Sequence, residues 1–493
     1  MSIIEGVAAR GGAARAPGPR WRLLVLAICC MSLFIVGLDN TIVNIALPSM
    51  RRDLHASLSD LQWIIDAYTV VLAGLLMLSG STADRIGRRR TFQAGLMLFT
   101  LGSLLCSLSP SLGWLVGARA LQAVGGSMLN PVAMSIITNT FTDPRERARA
   151  IGVWGGVVGL SMALGPLIGG VLVASVGWQA IFWINIPMGL IAFVLCALFV
   201  PESRAPRPRP VDPVGQILII ALLAGLTYGI IEAPSAGWSS AQTVGCFTGA
   251  ALALACLVPY ELRRAEPLIN PRFFRSIPFA GATLIAICGF AALGGFLFLN
   301  TLYLQDALGH TALHAGLLTL PMAGLTAVCA PLSGRIVGSA GPRLPLLIAG
   351  TAMGLSALML TDLTAHTPLW RLMASYVLFG LGFGMLNAPI TNTAVSGMPR
   401  TQAGVAAAVA STSRQIGQSL GVAVVGSLVI SAVHGPLRTG LPPASHVGWW
   451  IVAACGVAVL LLGILTTGRW AGRTAERTAE RLIHGSTETA ETA

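Results

Sequence analysis

The chain has 493 residues, of which 54% are hydrophobic and only 10% charged, and it carries a formal net charge of +12 at pH 7. A soluble fold of this length would need a far more charged exterior to cover so much apolar surface. The positive excess does not signal nucleic acid, because the arginines sit in short connections between apolar runs and form no basic face. In hydrocarbon every backbone group must be paired within the segment, so long apolar runs predict membrane helices. Short alternating segments of the kind a membrane barrel requires do not occur.

Residues 1–21 form an Ala/Gly/Arg-rich tail with no secretory h-region or cleavage site of its own, so the first apolar run is expected to be retained. A span takes about twenty apolar residues. That rule places helices at 22–47, 60–80, 91–109, 112–137, 149–173, 178–200, 213–232, 243–261, 278–304, 312–337, 344–363, 370–395, 403–432 and 446–468. LDNTIVNIALP (Leu38 to Pro48) closes the first of these fourteen spans, and QWIIDAY puts Asp66 about one turn into the second. GSTADRIGRRR follows, with Gly80, Asp84, Arg85, Gly87 and Arg88 as its fixed points: small residues let helix ends approach, Asp84 can cap or pair, and the arginines hold the surface. LVGARALQAVGGS places Arg119 and Gln122 in the fourth span; GLSMALGPLIGG places Gly159, Gly165, Pro166, Gly169 and Gly170 in the fifth.

The segment from Glu202 to Pro213, rich in proline and arginine, reads as a stiff linker. The expected organisation is a six-helix bundle at 22–200, linkers and two inserted helices at 201–277, a second six-helix bundle at 278–468 and a tail at 469–493. GRIVGSAGPR (Gly334 to Arg343) is a degenerate copy of the earlier Gly/Arg loop, at the corresponding place of the second bundle. In alternate connections, 25 arginines fall on the side of the two termini and four (Arg51, Arg52, Arg371 and Arg438) on the other. Both termini are therefore expected in the cytoplasm of a bacterial cell, with the connections 300–313 and 436–445 outside.

The nine cysteines all lie in apolar runs without metal-ligand spacing, so neither a disulfide framework nor zinc is expected, and no metal or cofactor is implied. His310 and His314 have the spacing of a helical metal pair, but an exposed connection is the better account of them. An ionised side chain within a span costs about 2.5–3.5 kcal/mol, so each one needs a reason. Asp39, Asp66 and Arg119 lie well inside the first four spans. A carboxylate alternating between an apolar site and a guanidinium can take up a proton on one side and release it on the other. A structural helix-end partner is the alternative for Asp39, a hydrated interfacial acid for Asp66, and a structural pairing for Arg119. Asn44, Asn387, Asn392, Arg414, Gln415 and Gln418 are further polar residues expected to face an interior cavity, while Glu232 and Asp306 are expected near span ends.

Taken together, these motifs resemble the major facilitator superfamily, and with fourteen spans its drug:proton antiporter family of quaternary-ammonium and antibiotic exporters. WQAIFWINIP (Trp178 to Pro187) and STSRQIGQSLG (Ser411 to Gly421) match that family too. The resemblance implies an all-α membrane protein working by alternating access. It implies coupling or cation binding at Asp39, proton relay at Arg119, and a leak-sealing role for the Gly-Pro motif around Pro166. The expected partners are protons, a small apolar or cationic drug or antibiotic, and the lipid bilayer; the chain is expected to act as a monomer. A proton-coupled importer of a nutrient or siderophore is the rival within transport. A membrane-embedded enzyme is the rival outside it, and the spans offer no nucleophile–base or metal set for one.

Overall fold

The computed structural model describes residues 19–205, 212–264, 267–396, 398 and 403–491, with side-chain surroundings for all but a few of these. Much of the proline-rich linker, and the surroundings of Gly159, lie outside the described residues. In chain order the helices are α1 (Pro19–Leu54), α2 (Leu58–Ile86), α3 (Arg88–Ser107), α4 (Leu112–Thr140), α5 (Pro144–Ser175), α6 (Ala180–Trp183), α7 (Asn185–Phe199), α8 (Pro213–Ala236) and α9 (Ala241–Arg263). After a 3-10 turn at Pro271–Arg275 come α10 (Ile277–Leu302), a π-helical turn at Tyr303–Ala307, α11 (Ala312–Leu318), α12 (Leu320–Ala340) and α13 (Arg343–Leu358). The chain continues through α14 (Leu369–Gly384), α15 (Asn387–Val395), α16 (Ala403–Ala432), α17 (Leu437–Thr466) and α18 (Arg469–Glu491).

Among the described residues, eleven helices are long and apolar enough to cross a membrane, some of them joining consecutive short elements. Leu164–Ser175 and Arg343–Leu358 are shorter apolar helices. The expected count of fourteen is thus met only in part by length and composition. α3 begins with three arginines and carries Thr, Gln, Gly and Ser along its length, and α13 has only 16 residues. The last span also starts earlier than the apolar run suggests. Ser445 is buried inside α17 and donates to the Pro442 carbonyl, so 437–445 is helix rather than an open connection.

Local signals explain the boundaries. Ser57 and Asp60 form a reciprocal capping box at the start of α2, and Asp143 caps α5 ahead of Pro144. Gly87, at φ 124°, ends α2 and turns the chain into α3; Gly341, at φ 83°, does the same between α12 and α13. These two glycines sit in the two related loops, a correspondence of backbone as well as sequence.

α1 packs on α5, α4 and α7, while α3 and α2 pack on α4. α10 packs on α16 and α17, α13 on α17 and α14, and α12 on α14. There Phe296 stacks on Phe379 at 4.1 Å and meets Trp449 edge-on. α8 and α9 form a hairpin, with α8 lying against both α2 and α16.

Among the described residues, hydrogen bonds and an ion pair that link residues before 200 to residues after 277 lie at one end of the molecule. Arg51 pairs with Asp306 at 3.0 Å, Gln305 donates to the Ile45 carbonyl at 2.9 Å, and Gln62 donates to the Val422 and Ala423 carbonyls. The π-helical turn is what carries Gln305 and Asp306 towards α1.

Candidate functional site

The first ionisable cluster is built where α1, α4 and α7 meet. Asp39 is fully buried, and both its oxygens are occupied. Arg119 Nη1 donates to Oδ2 at 2.5 Å; Gln122 Nε2 and Asn185 Nδ2 donate to Oδ1 at 2.9 and 3.1 Å. Arg119 also donates to the Gln122 side-chain oxygen at 2.6 Å and, through Nε, to the Ile64 carbonyl at 3.2 Å. Its guanidinium lies 4.2 Å over the Tyr68 ring, an additional attraction in a desolvated site. Ser103 accepts from Gln122 and Asn185 and closes the network. A buried ion pair is tolerated only when its remaining polar atoms are satisfied, and Asp39 meets that condition.

Asp66 is treated differently by the fold. It is also fully buried, which removes the reading of a hydrated interfacial acid. One oxygen accepts from the Thr69 hydroxyl at 3.1 Å, and the other has no hydrogen-bond partner among the described residues. Ser419 of α16 faces it across the α2–α16 contact.

In the Gly/Arg loop, Asp84 pairs with Arg88 at 3.2 Å, four residues on. Gly87 is pressed against the Glu202 carboxylate, which accepts from the Arg89 and Arg90 backbone N–H groups at the start of α3. Arg85 is exposed and Gly80 has open space beside it. In the Gly-Pro stretch, Gly165 abuts Thr41, and a Cβ on Gly169 would stand 2.7 Å from the Ile42 side chain. A Cβ on Gly170 would stand 2.8 Å from the Ala312 carbonyl, and Gly316 abuts the Pro166 carbonyl. This stretch therefore joins α5 to α1 on one side and to α11 on the other.

A cavity between the two helix groups is lined by Thr41, Pro166, Met322, Phe379 and Phe383, with leucines and Thr326. Neither Asp39 nor Asp66 lines it. The remaining polar candidates are scattered. Asn44 donates to the Asn40 carbonyl at 3.1 Å, Gln418 is buried, Asn387 and Gln415 are half-buried, and Asn392 is exposed. Arg414 donates to Thr391 and Ser411. Glu232 accepts from the Trp63 indole at 2.7 Å. Sequence reasoning did not single out Ser103, Asn185, Tyr68 or Glu202 as functional residues. Asn185, inside WQAIFWINIP, was the one signal available: an amide within an apolar run.

A multi-pass helical bundle with a buried ion pair and a cavity between two helix groups defines a membrane transporter. A sequence profile of the Major Facilitator Superfamily matches residues 29–422, and the chain belongs to that family. It is 40% identical over 418 residues to the tetracenomycin C resistance and export protein of Streptomyces glaucescens, covering 83% of this chain and 76% of that one. It is 35% identical over 425 residues to the multidrug resistance protein Stp of Mycobacterium tuberculosis, covering 86% and 79%. It is 34% identical over 470 residues to the multidrug efflux pump LfrA of Mycolicibacterium smegmatis, covering 93% and 92%. A solved bacterial homologue of the human drug peptide transporters PepT1 and PepT2 superposes with a TM-score of 0.63 at 15% identity, covering 94% of this chain and 99% of that one; this likeness speaks to the fold alone.

Proposed function

We propose that this transporter exports small apolar or cationic compounds, such as drugs or antibiotics, in exchange for protons. The observation that carries the reading is the Asp39–Arg119 pair, a buried charge couple held by Gln122 and Asn185 where α1, α4 and α7 meet. Protonation of Asp39 would remove the partner of Arg119 and force the network to rearrange. That is a way to tie a proton to a helix movement. The names of the relatives support export of drugs, and the apolar lining between the helix groups is in keeping with apolar substrates once it opens. Asp66, whose second oxygen is faced only by Ser419 among the described residues, is in keeping with a cation.

In this proposal two six-helix bundles, 22–200 and 278–468, rock about the cavity, with α8 and α9 inserted between them and fourteen spans in all. Both termini lie in the cytoplasm, and the protein works as a monomer in the bacterial inner membrane without a cofactor. The end joined by Arg51–Asp306, Gln305–Ile45 and Gly170–Ala312 is the outer one, so this conformer is closed to the outside. Asp84–Arg88 and Glu202 steady the inner ends of α2 and α3, and the packed glycines around Pro166 limit leak. The test is drug-induced proton release from inverted vesicles, with wild type and with Asp39→Asn. Export that continues without proton movement would end the antiport reading.

A further inference from the structure

The exchange mechanism proposed above makes no use of the amphipathic helix α18, yet the fold packs it against the start of α10. Its face formed by Ala471, Thr474, Ala475 and Thr478 is buried or half-buried, and Thr474 accepts a hydrogen bond from the Ile277 backbone N–H at 3.1 Å, at the first residue of α10. α18 also packs on the 3-10 turn Pro271–Arg275 that precedes α10. On the solvent side, Trp470, Arg473 and Arg477 are exposed at i, i+3 and i+7, so they share one stripe of the helix. On the adjoining turn Arg272, Phe274 and Arg275 are exposed as well. Trp470 is 62% exposed and Phe274 44%.

Among the described residues none of these four arginines has an acidic partner. Elsewhere on the molecule Arg22, Arg88, Arg90 and Arg264 do. Of the acids on α18, Glu476 lies about a quarter turn from the stripe, while exposed Glu480 shares it and is engaged in an interaction of its own, so the arginines outnumber the acids across the whole surface. Arg275 precedes the first residue of α10 by two positions, and Trp470 follows the end of α17 by four. The patch therefore stands at the depth where hydrocarbon gives way to headgroups. Aromatic rings that are half apolar and half polar favour that depth, and arginine forks match phosphate oxygens there.

We propose that this surface, the basic stripe of α18 together with the Pro271–Arg275 turn, binds the headgroups of anionic phospholipids in the leaflet that borders these helix ends. Trp470 and Phe274 enter the interface, and the four arginines engage the phosphates. Bilayer electrostatics add to the attraction and fade within a Debye length, so the binding is salt-sensitive.

The experiment uses the full-length protein purified in mild detergent from cells containing both phosphatidylglycerol and phosphatidylethanolamine, with retained lipids counted by mass spectrometry. Wild type is expected to enrich phosphatidylglycerol about fivefold over the bulk ratio and to lose it in high salt. The variant R272Q/R275Q/R473Q/R477Q is expected to fall to the bulk ratio, whereas R335Q/R343Q keeps the enrichment. An unchanged lipid ratio in the quadruple variant overturns the proposal, as does equal loss in R335Q/R343Q. Melting of each variant in lipid-free detergent distinguishes lost binding from lost folding; if the quadruple variant does not fold, Trp470→Ala with Phe274→Ala is read in the same way. The readout is independent of drug transport, so it stands or falls apart from the exporter reading.

Discussion

Replacing Asp39 by Asn keeps the shape of the side chain but removes the negative charge that pairs with Arg119. The amide oxygen can serve either Arg119 or the Gln122–Asn185 pair; its NH2 group must then face donors on the other side. Gln122 has little freedom to turn, because its oxygen accepts from Arg119 and its nitrogen also serves Ser103. The variant therefore holds a buried guanidinium without a counter-charge, at a cost of about 3–5 kcal/mol. That is a large share of a total stability of about 5–15 kcal/mol, so Asp39→Asn is expected to melt well below wild type in detergent while still folding. Drug-induced proton release is expected to vanish for neutral and cationic substrates alike. The double variant Asp39→Asn/Arg119→Gln removes both charges and is expected to regain all but about 1 kcal/mol of the stability, because a neutral buried set avoids the desolvation of an unpaired ion. It is not expected to regain coupling. If the double variant restores both stability and proton release, Asp39 is a structural partner and the coupling role fails. If Asp39→Asn alone melts and pumps as wild type does, the account of the pair itself is wrong.

Asp66→Asn is expected to depress export of cations, divalent ones most, and to leave neutral substrates near wild type, because its free oxygen lies in a desolvated place where charge is felt strongly; matched neutral, monovalent and divalent compounds in inverted vesicles read this, and equal loss of all three refutes it. If the end that it joins is the outer one, as proposed, breaking the partly buried Arg51–Asp306 pair by Arg51→Ala or Asp306→Asn should move the equilibrium towards the outward-open state by about 1 kcal/mol, roughly fivefold. The rate at which an impermeant thiol reagent reaches a cysteine introduced at Thr41 in the cavity should rise in proportion, and an unchanged rate refutes the latch. For topology, Thr439→Cys, exposed at the start of α17, should label in intact cells lacking the native cysteines, and Ser203→Cys only after permeabilisation; the reverse pattern inverts the orientation.

The legibility of this chain followed the cost of each residue in hydrocarbon. Asp39 and Arg119 stood out because an ion in an apolar run is expensive, and the fold does bring them together. Gln122 drew notice as a neighbour of Arg119, whereas Asn185 and Ser103 did not, since a single neutral polar group in a span is common and cheap. The burial of Asp66 could not be read from its position one turn into α2, because the cover comes from α16, some 350 residues later in the chain. Glu202 looked like one more linker charge until α3 placed its first N–H groups against it. α17 starts at Leu437, ahead of the apolar run at 446–468, because its first two turns carry polar and proline residues, Pro442 and Pro443 among them, that hydropathy alone does not count as span.

The proposed division of labour between the two acids follows from what each still has to offer. Asp39 has no free oxygen in this conformer, so a cationic ligand could reach it only by displacing Arg119, Gln122 or Asn185. A proton is the one cation small enough to bind there without taking over a ligand's space, and its arrival would weaken the contact to Arg119 and thereby loosen α1 from α4. Asp66 keeps an oxygen without a partner and lies where α2 meets α16, the contact across which Gln62 ties the first helix group to the second. A cation drawn to that oxygen would meet both helix groups at once, whereas a proton on Asp39 acts within the first group. Exchange requires that these two events exclude one another. α1 carries Asp39, then Thr41 in the cavity wall, then Ile42 under Gly169 of α5, whose next residue, Gly170, presses on the backbone of Ala312 in α11, so a movement of α1 at Asp39 would also reach the second helix group.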